Sequence, residues 1–360
     1  MKCSTLPSDK QAVCLALPAN LGLAKLAAHK NYPVSKERIM GSANESVEIY
    51  GAPGSPYTRK MLAILRFRRI PYVLGWDGHM VAGTQTHPAP KVSIIPIMYF
   101  ATDSAVKEVA VDSTPIIRRL EKDYDTRSVI PTDPALAFMN FLIEDFGDEW
   151  VTKFMFHYRW AYDEDAKHAA PLLTFWHNPT LDAETAQTNA AHFAERQIGR
   201  LGVVGSNETT GPLIEASFAR LIDILDALIM RQGYVLGARP SSADFALFGQ
   251  LTQLCQVEPT SYNVAKTRPR LRAWVDRLED LSGLKVEDDA WLAADETRTA
   301  LAPLLGEIGR VYVPCLIANA TAIAAGEESF ETLIDGKLWK QDVFPYQAKC
   351  LAEIRAAYEA

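Results

Sequence analysis

The chain has 360 residues, the length of about two domains. Its 44 acidic residues outnumber its 37 basic ones, which gives a formal net charge of −7, and the basic residues do not cluster. Nucleic acids and anionic membranes attract positive surfaces, so this balance argues against both as partners. Hydrophobic residues make up 48% and charged residues 22%, an ordinary composition for a globular protein with a full core.

The five cysteines, at positions 3, 14, 255, 315 and 350, are scattered and show no CxxC or CxxH spacing. We therefore predict no disulfide framework, no metal site and a reducing, cytoplasmic location. No stretch reaches the roughly 20 apolar residues of a membrane span, and residues 311–325 are predicted to form a buried core helix. The N-terminal pattern is too broken for a secretory signal, while a transit peptide stays open.

The first regular pattern begins after residues 1–45, which lack periodicity and are treated as an extension. Val47–Tyr50 alternates like a strand, a turn rich in glycine and proline follows, and residues 58–69 show helical spacing. Pro71–Leu74 is predicted as a second strand. A strand, a helix and a second strand in this order predict a parallel pair with a helical crossover.

A second group of elements completes the predicted N-terminal domain. Lys91–Phe100 has strand composition, although Pro96 within it cannot donate a ladder hydrogen bond. Residues 107–111 are its expected hairpin partner. The pair Asp112-Ser113 then precedes a helix with proline in its first turn, which is a helix-start signal.

The remainder of the chain has helical patterns, and the domain boundary is predicted near Ile130–Pro134. Ser241 and Asp244 form a sequence typical of a capping box. Residues 283–360 are predicted to contain a long helix, a hairpin and a last helix. The predicted elements after the boundary are helices over Pro134–Asp165, Asp182–Val204, Pro212–Gln232, Ala243–Val257, Pro269–Leu281 and 295–325, a hairpin around Ile334–Lys337, and a helix from about Tyr346.

Three places in the first domain suggest a site for a peptide-like anion. Ser55 stands at a helix N-terminus, where a hydroxyl and free N–H groups favour a thiolate. A cis Ile95–Pro96 bond would turn the main chain of Ile95 towards an extended peptide. Asp112 and Ser113 could hold the ammonium and carboxylate of an amino-acid end group. Each also has a structural reading: Ser55 and Asp112-Ser113 as helix caps, Pro96 as an edge-strand proline.

In this order the motifs resemble a cytosolic-type glutathione transferase of the serine-type classes, over roughly residues 46–283. The residues on which this resemblance rests are Ser55-Pro56-Tyr57-Thr58-Arg59-Lys60, Ile95-Pro96, Asp112-Ser113 and Ser241–Asp244. The sequence departs from the family in having Asp112 where Glu is commoner and a long segment between Pro96 and Ser113. Serine at the catalytic turn disfavours disulfide exchange.

The resemblance implies an α/β plus all-α fold, with a thioredoxin-like domain over 46–130 and an all-helical domain over 131–283. Residues 1–45 and 284–360 are extensions to it, the second packed on the helical domain. The resemblance also implies glutathione as cosubstrate, a homodimer and a role in detoxification. Ser55 would stabilise the glutathione thiolate. Tyr57 would line the site or take the place of Ser55 as the hydroxyl that donates to the thiolate. The implied glutathione-binding residues are Ile95, Pro96, Asp112, Ser113, Lys91 and His87.

The wall for the second substrate is expected on the first long helix of the helical domain. Its aromatic segment suits a hydrophobic electrophile, although His157 and Arg159 have a surface or interdomain role as an equal alternative. The expected residues are Phe154, His157, Tyr158 and Arg159. The leading prediction is a glutathione transferase acting by conjugation, thiolytic ether cleavage or dehalogenation. The alternatives are a non-catalytic binding or scaffold protein of the same fold and a glutathione-dependent lyase or isomerase.

Overall fold

The computed structural model describes residues 46–359, so the predicted extension over residues 1–45 lies outside the described residues. The first part of the chain forms a small sheet with helices beside it. In chain order its elements are β1 (Val47–Tyr50), α1 (Pro56–Arg68), β2 (Tyr72–Gly75), α2 (Gly78–Val81), β3 (Ile97–Phe100), β4 (Glu108–Ala110) and α3 (Ser113–Asp123).

The four strands lie in the order β2-β1-β3-β4, with β1 parallel to β2 and the other pairs antiparallel. The parallel pair requires the crossover that α1 supplies. This arrangement confirms the predicted thioredoxin-like domain. The predicted strand over Lys91–Phe100 is wrong in length, because β3 begins at Ile97. Pro96 has no N–H for the ladder, so pairing starts after it.

Helices alone make up the next part of the chain, which confirms the predicted all-helical domain. They are α4 (Pro134–Glu149), α5 (Val151–Trp160), α6 (Asp163–His177), α7 (Ala183–Ile198), α8 (Gly211–Gln232), α9 (Ser242–Leu254), α10 (Pro259–Ala265) and α11 (Pro269–Leu278).

The predicted single helix over Pro134–Asp165 is wrong, because the segment forms α4, α5 and the start of α6. The first break falls at Trp150, whose fully buried indole packs 5.2 Å from the ring of Trp339. The second falls at Tyr162, where the backbone is extended. Three acidic residues, 163–165, then begin α6, and acidic side chains favour a helix N-terminus. These acidic residues mark the start of α6, which apolar periodicity alone does not reveal.

The C-terminal part carries two helical segments, a hairpin and a last helix. The hairpin turn has Asp335 and Gly336 at φ +52° and +71°, as a two-residue turn of matching twist requires. The predicted hairpin and final helix are both confirmed. The elements are α12 (Ala294–Glu307), a π-helical turn (Ile308–Tyr312), α13 (Val313–Ala325), β5 (Ser329–Ile334), β6 (Lys337–Asp342) and α14 (Pro345–Glu359).

The segment from α12 to α13 corrects one expectation. Among the described residues, one helix, Asp295–Ala325, has the length and apolar composition that could cross a bilayer, and 44% of its most apolar window is buried. The expectation of a buried core helix over 311–325 holds for one face only. Cys315 and Leu316 are buried, whereas Ile317 is 46% exposed.

Helix α9 lies at the centre of the core and packs against α1, α4 and α5. All of its residues are buried, which is typical of a helix surrounded by other elements. It begins in the predicted capping box, in which the Ser241 amide donates to the Asp244 carboxylate over 2.8 Å. Gly249 faces α1, and a Cβ there would lie 2.4 Å from the carbonyl oxygen of Pro56. The contact between the two domains therefore requires glycine at this position.

We expect Gly249→Ala to lower the free energy of unfolding by about 1–3 kcal/mol, because the methyl group must push backbone away from backbone. Urea denaturation followed by circular dichroism measures the change. Gly283→Ala is the matched control, since a Cβ at Gly283 meets nothing within 4 Å. A Gly249→Ala protein as stable as the control would contradict the close approach.

Candidate functional site

Ser55 and Ile95 line one cavity, at the place where the sequence predicts the thiol site. The Ile95–Pro96 peptide bond is cis. Ser55 is the N-cap of α1, and its hydroxyl oxygen accepts a hydrogen bond from the Thr58 amide over 3.2 Å. The Ser55 side chain is fully buried. The catalytic role of Ser55 stays a prediction; its capping role is observed.

The cavity beside Ser55 is narrow because α6 and α7 cover it. About 10 Å³ is available to the centre of a water molecule, enough for roughly one water. Helix α6 approaches so closely that a Cβ on Gly54 would lie 2.1 Å from the Leu173 side chain and 2.8 Å from that of Trp176. The cavity lining is Ala52, Gly54, Ser55, Ile95, Leu173, Thr174, His177 and Phe193.

Arg159 fixes the turn that carries Ser55. Its side chain is fully buried and donates to the carbonyl of Gly54 over 3.2 Å. It also donates to the carboxylate of Glu258 over 2.5 Å and to the amide oxygen of Gln253 over 2.7 Å. Every bond anchors protein to protein, so the observed task of Arg159 is to position the turn. Its predicted substrate role stays a prediction.

Asp112 and Ser113 begin α3, as predicted, and both are already engaged. Asp112 adopts φ +78°, which is uncommon for a residue other than glycine, and its carboxylate accepts from the Thr114 amide over 3.3 Å. The other carboxylate oxygen accepts from the hydroxyl of Tyr346, in α14, over 2.7 Å. The Ser113 hydroxyl accepts from the Lys60 ammonium over 3.1 Å. The C-terminal helix thus supplies a partner where the resemblance places the end of glutathione.

Lys60 joins three helices beneath this pair. Its buried ammonium lies 2.8 Å from the carboxylate of Glu144 and 2.6 Å from that of Asp148. Burial lowers the pKa of Lys60 and the carboxylates raise it, with the carboxylates prevailing. Burial raises the pKa of Glu144, but the Lys60 ammonium outweighs burial and keeps that pKa below its usual value. Burial, with the Glu144 charge beside it, raises the pKa of Asp148 to about 7.

Helix α4 places two more carboxylates against the C-terminal part. Asp145 accepts from the hydroxyl of Tyr312 over 2.6 Å, and Glu149 accepts from the side-chain amide of Gln347 over 3.3 Å. Burial raises the pKa of Asp145 to about 6 and that of Glu149 to about 8. The residues after 284 are therefore held to α4 by buried polar contacts.

The other predicted glutathione contacts lie around the sheet. The Tyr57 hydroxyl donates to the carbonyl of Asp148 over 2.8 Å. The His87 ring pairs with the carboxylate of Glu48 at 2.8 Å, and Lys91 is exposed. None of these three side chains lines the cavity beside Ser55. Their roles stay predictions.

The predicted electrophile wall packs elsewhere in the helical domain. Phe154, His157 and Tyr158 are buried and are not part of the cavity lining. The His157 ring contacts the Ser206 hydroxyl at 2.7 Å and the Glu215 carboxylate at 3.3 Å. Burial lowers the pKa of His157, which favours the neutral ring. The structure therefore brings Ser55 and Ile95 to one cavity, with Arg159 bonded to the neighbouring Gly54 carbonyl. It leaves Phe154, His157 and Tyr158 outside that cavity.

Sequence reasoning missed the residues that close the site, namely those of α6 and Tyr346, and it missed Lys60. One signal for Lys60 was present: α4 carries four acidic residues, 144, 145, 148 and 149, within an apolar pattern. Charged groups inside a helix of that kind need a buried partner. Nothing local pointed to Tyr346. Among residues 46–359 there is no group of His, Cys, Asp and Glu side chains suited to a metal ion.

Comparison with known proteins places this fold in a class of thioredoxin-like domains joined to a helical domain. Residues 49–128 match the glutathione S-transferase N-terminal domain, and residues 186–277 match the glutathione S-transferase C-terminal domain. The chain belongs to the glutathione S-transferase superfamily, as the resemblance implied. The serine-type subclass stays a prediction. The sequence matches no curated protein.

Similar solved structures share low identity with the chain. A glutathione S-transferase from Methylobacterium radiotolerans, in complex with glutathione sulfonate, has 19% identity and a TM-score of 0.39, covering 69% of this chain and 96% of that one. FzlA from C. crescentus has 14% identity and a TM-score of 0.43, covering 70% and 98%. The beta-etherase LigF from Sphingobium sp. strain SYK-6 has 16% identity and a TM-score of 0.38, covering 65% and 95%.

We expect Lys60→Met to lower the free energy of unfolding by about 3–5 kcal/mol, because two buried carboxylates lose their shared cation. Chemical denaturation at neutral pH measures the loss. The control is Lys122→Met, which removes an exposed lysine near the end of α3. A loss below about 1 kcal/mol for Lys60→Met would show that the ammonium does not hold the three helices together.

Glu149 makes stability depend on pH. Its folded pKa, about 8, lies above the usual 4.5, so between these values the folded protein binds more protons than the unfolded one. Stability therefore falls as pH rises through this window. Glu149→Gln should reduce the fall between pH 5 and pH 8 by on the order of 3 kcal/mol. Denaturation at a series of pH values measures the fall in stability, and Glu184→Gln, at an exposed position, is the control. If stability changed equally with pH in the unchanged protein and in both variants, Glu149 would not be the group responsible.

Proposed function

We propose that this protein is a non-catalytic binding protein of the glutathione transferase fold, in which the protein's own helices close the glutathione cleft. The observation that carries the proposal is the hydrogen bond from Tyr346 to Asp112, together with the cover that α6 lays over Ser55. Both ends of the expected ligand position are engaged from within the chain.

The Ser55 end argues against a thiol in the cleft. A thiolate is stabilised by a hydroxyl only within hydrogen-bond distance, and a fully buried hydroxyl with room for about one water has no space for a sulfur-bearing ligand. Glutathione is a tripeptide and therefore far larger than this cavity. The residues in this arrangement therefore do not fit glutathione.

The Asp112 end argues in the same direction. An incoming ammonium would have to share the Asp112 carboxylate with the Tyr346 hydroxyl and the Thr114 amide, which already occupy two of its roughly four acceptor positions. Ser113 is held by Lys60, whose other partners are two buried carboxylates. The Ser113 hydroxyl keeps its own proton to donate, so the closure at this end depends on the bond between Tyr346 and Asp112.

A glutathione transferase is the second candidate, and one observation favours it. Neither the amide nor the carbonyl of Ile95 has a hydrogen-bond partner among the described residues, and the bond that follows is cis. This leaves main-chain groups suited to an extended peptide. The transferase requires α6 and α14 to withdraw first. Conjugation, ether cleavage, dehalogenation and isomerisation all require the same access.

The test is titration of the full chain with glutathione by calorimetry, paired with turnover of 1-chloro-2,4-dinitrobenzene. We expect no heat of binding, no turnover and no rise in melting temperature with about 10 mM glutathione, since binding to the folded state would raise it. The same assays on Ser55→Ala and Tyr346→Phe serve as controls. Saturable binding, with turnover that Ser55→Ala abolishes, would replace the proposal by the transferase.

A further inference from the structure

The hairpin of the C-terminal part has one protected edge and one open edge. Val343 donates to the Glu328 carbonyl, so the hydrogen-bonded pairs of the β5–β6 ladder include residues 328, 330, 332 and 334 of the first strand. The main-chain groups of Ser329, Glu331 and Leu333 consequently point away from β6. Among residues 46–359 these groups have no hydrogen-bond partner.

The outer edge of β6, unlike that of β5, is covered by other parts of the chain. The Asp342 amide donates to the carbonyl of Gly202 over 3.3 Å, and the Asn207 side chain donates to the carbonyl of Lys340 over 2.9 Å. Soluble proteins normally cover or shorten strand edges, because an open edge pairs with other chains. An uncovered six-residue edge beside a covered one is therefore a candidate for function.

An apolar groove runs along the open edge. It lies between β5 and one face of α13 and encloses about 450 Å³, compared with about 10 Å³ beside Ser55. The groove is large enough to accept side chains of a bound peptide, and it extends along α13. The groove lining is Pro314, Ile317, Ala318, Thr321, Ala322, Ala325, Glu327, Phe330, Glu331 and Thr332.

We propose that this groove, defined as the β5–α13 groove, binds an extended basic peptide that adds a strand to β5. The outward main-chain groups of Ser329, Glu331 and Leu333 would pair with the peptide backbone, and the apolar floor would take alternate side chains. Glu327 and Glu331 border the groove; Glu331 pairs with Lys340 over 3.1 Å, whereas Glu327 has no ion-pair partner among the described residues. The carboxylates favour lysine or arginine in the peptide.

Charge also argues against a second copy of the chain in this groove. Pairing β5 antiparallel with another β5 about its centre would bring two Glu331 side chains opposite each other. Like charges opposite each other in a sheet are destabilising. This inference rests on the proposed function, since the groove gives a non-catalytic protein a place to hold a partner.

The experiment uses the full chain and a fluorescein-labelled peptide of sequence Lys-Val-Thr-Val-Arg-Val, with fluorescence anisotropy as readout. Ser329→Pro removes one outward N–H and no bond of the β5–β6 ladder, and should weaken binding about tenfold. Ser329→Ala keeps that N–H and should stay within about twofold of the unchanged protein. A peptide with Glu in place of Lys and Arg should bind at least about fivefold more weakly.

Glu327→Lys provides a second variant at an exposed position, in case Ser329→Pro fails to fold. It should weaken the basic peptide and strengthen the acidic one. No saturable binding up to about 1 mM peptide, or equal binding by Ser329→Pro and Ser329→Ala, overturns the inference.

Two other results would also overturn the inference, because each shows a different occupant of the groove. A dimer in sedimentation that Ser329→Pro dissociates would show a second copy of the chain there. Binding to phosphatidylglycerol vesicles that Ile317→Asp abolishes would show a membrane surface. Failure here is separable from failure of the proposed function, because glutathione turnover is measured without the peptide.

Discussion

The ammonium of Lys60, enclosed between the carboxylates of Glu144 and Asp148, is the interaction on which the junction of the two domains depends. It connects α1 to α4, and through Ser113 it reaches the first turn of α3. Glu144 also accepts from the Ser242 hydroxyl over 2.6 Å, which brings in the start of α9. A buried charge without a partner is costly, so each of these helices keeps the others in place.

The same requirement governs the groups around the expected ligand position. A buried polar group requires a partner, and the chain itself supplies partners for several of these groups. Lys60 engages Ser113, Tyr346 engages Asp112, and Arg159 engages the carbonyl beside Ser55. The Ile95 main chain is the exception among the described residues. Open hydrogen-bonding groups lie instead along β5, at the surface of the C-terminal part.

Where sequence reasoning succeeded, the determining interactions were local. The cap at Ser55, the capping box from Ser241 to Asp244 and the hairpin at Ile334–Lys337 each depend on residues within a few positions of one another. Where it failed, distant packing decided. The break at Trp150 places an indole against Trp339, a residue far away in sequence, and no helical period records that contact. The same holds for α6, because Leu173 and Trp176, which cover Gly54, lie beyond the end of the predicted helix Pro134–Asp165.

The amino-acid sequence by itself determined the family, the order of a thioredoxin-like and a helical domain, and the places where Ser55, Ile95, Asp112 and Ser113 stand, because caps, turns and periodicity are short-range properties of the chain. The tertiary structure alone decided what these groups face. The Tyr346 hydroxyl reaches Asp112 from the last helix, and α6 lies over Ser55. A side chain's partner is set by whichever residue the fold brings within hydrogen-bond distance, and that distance is unrelated to separation along the chain.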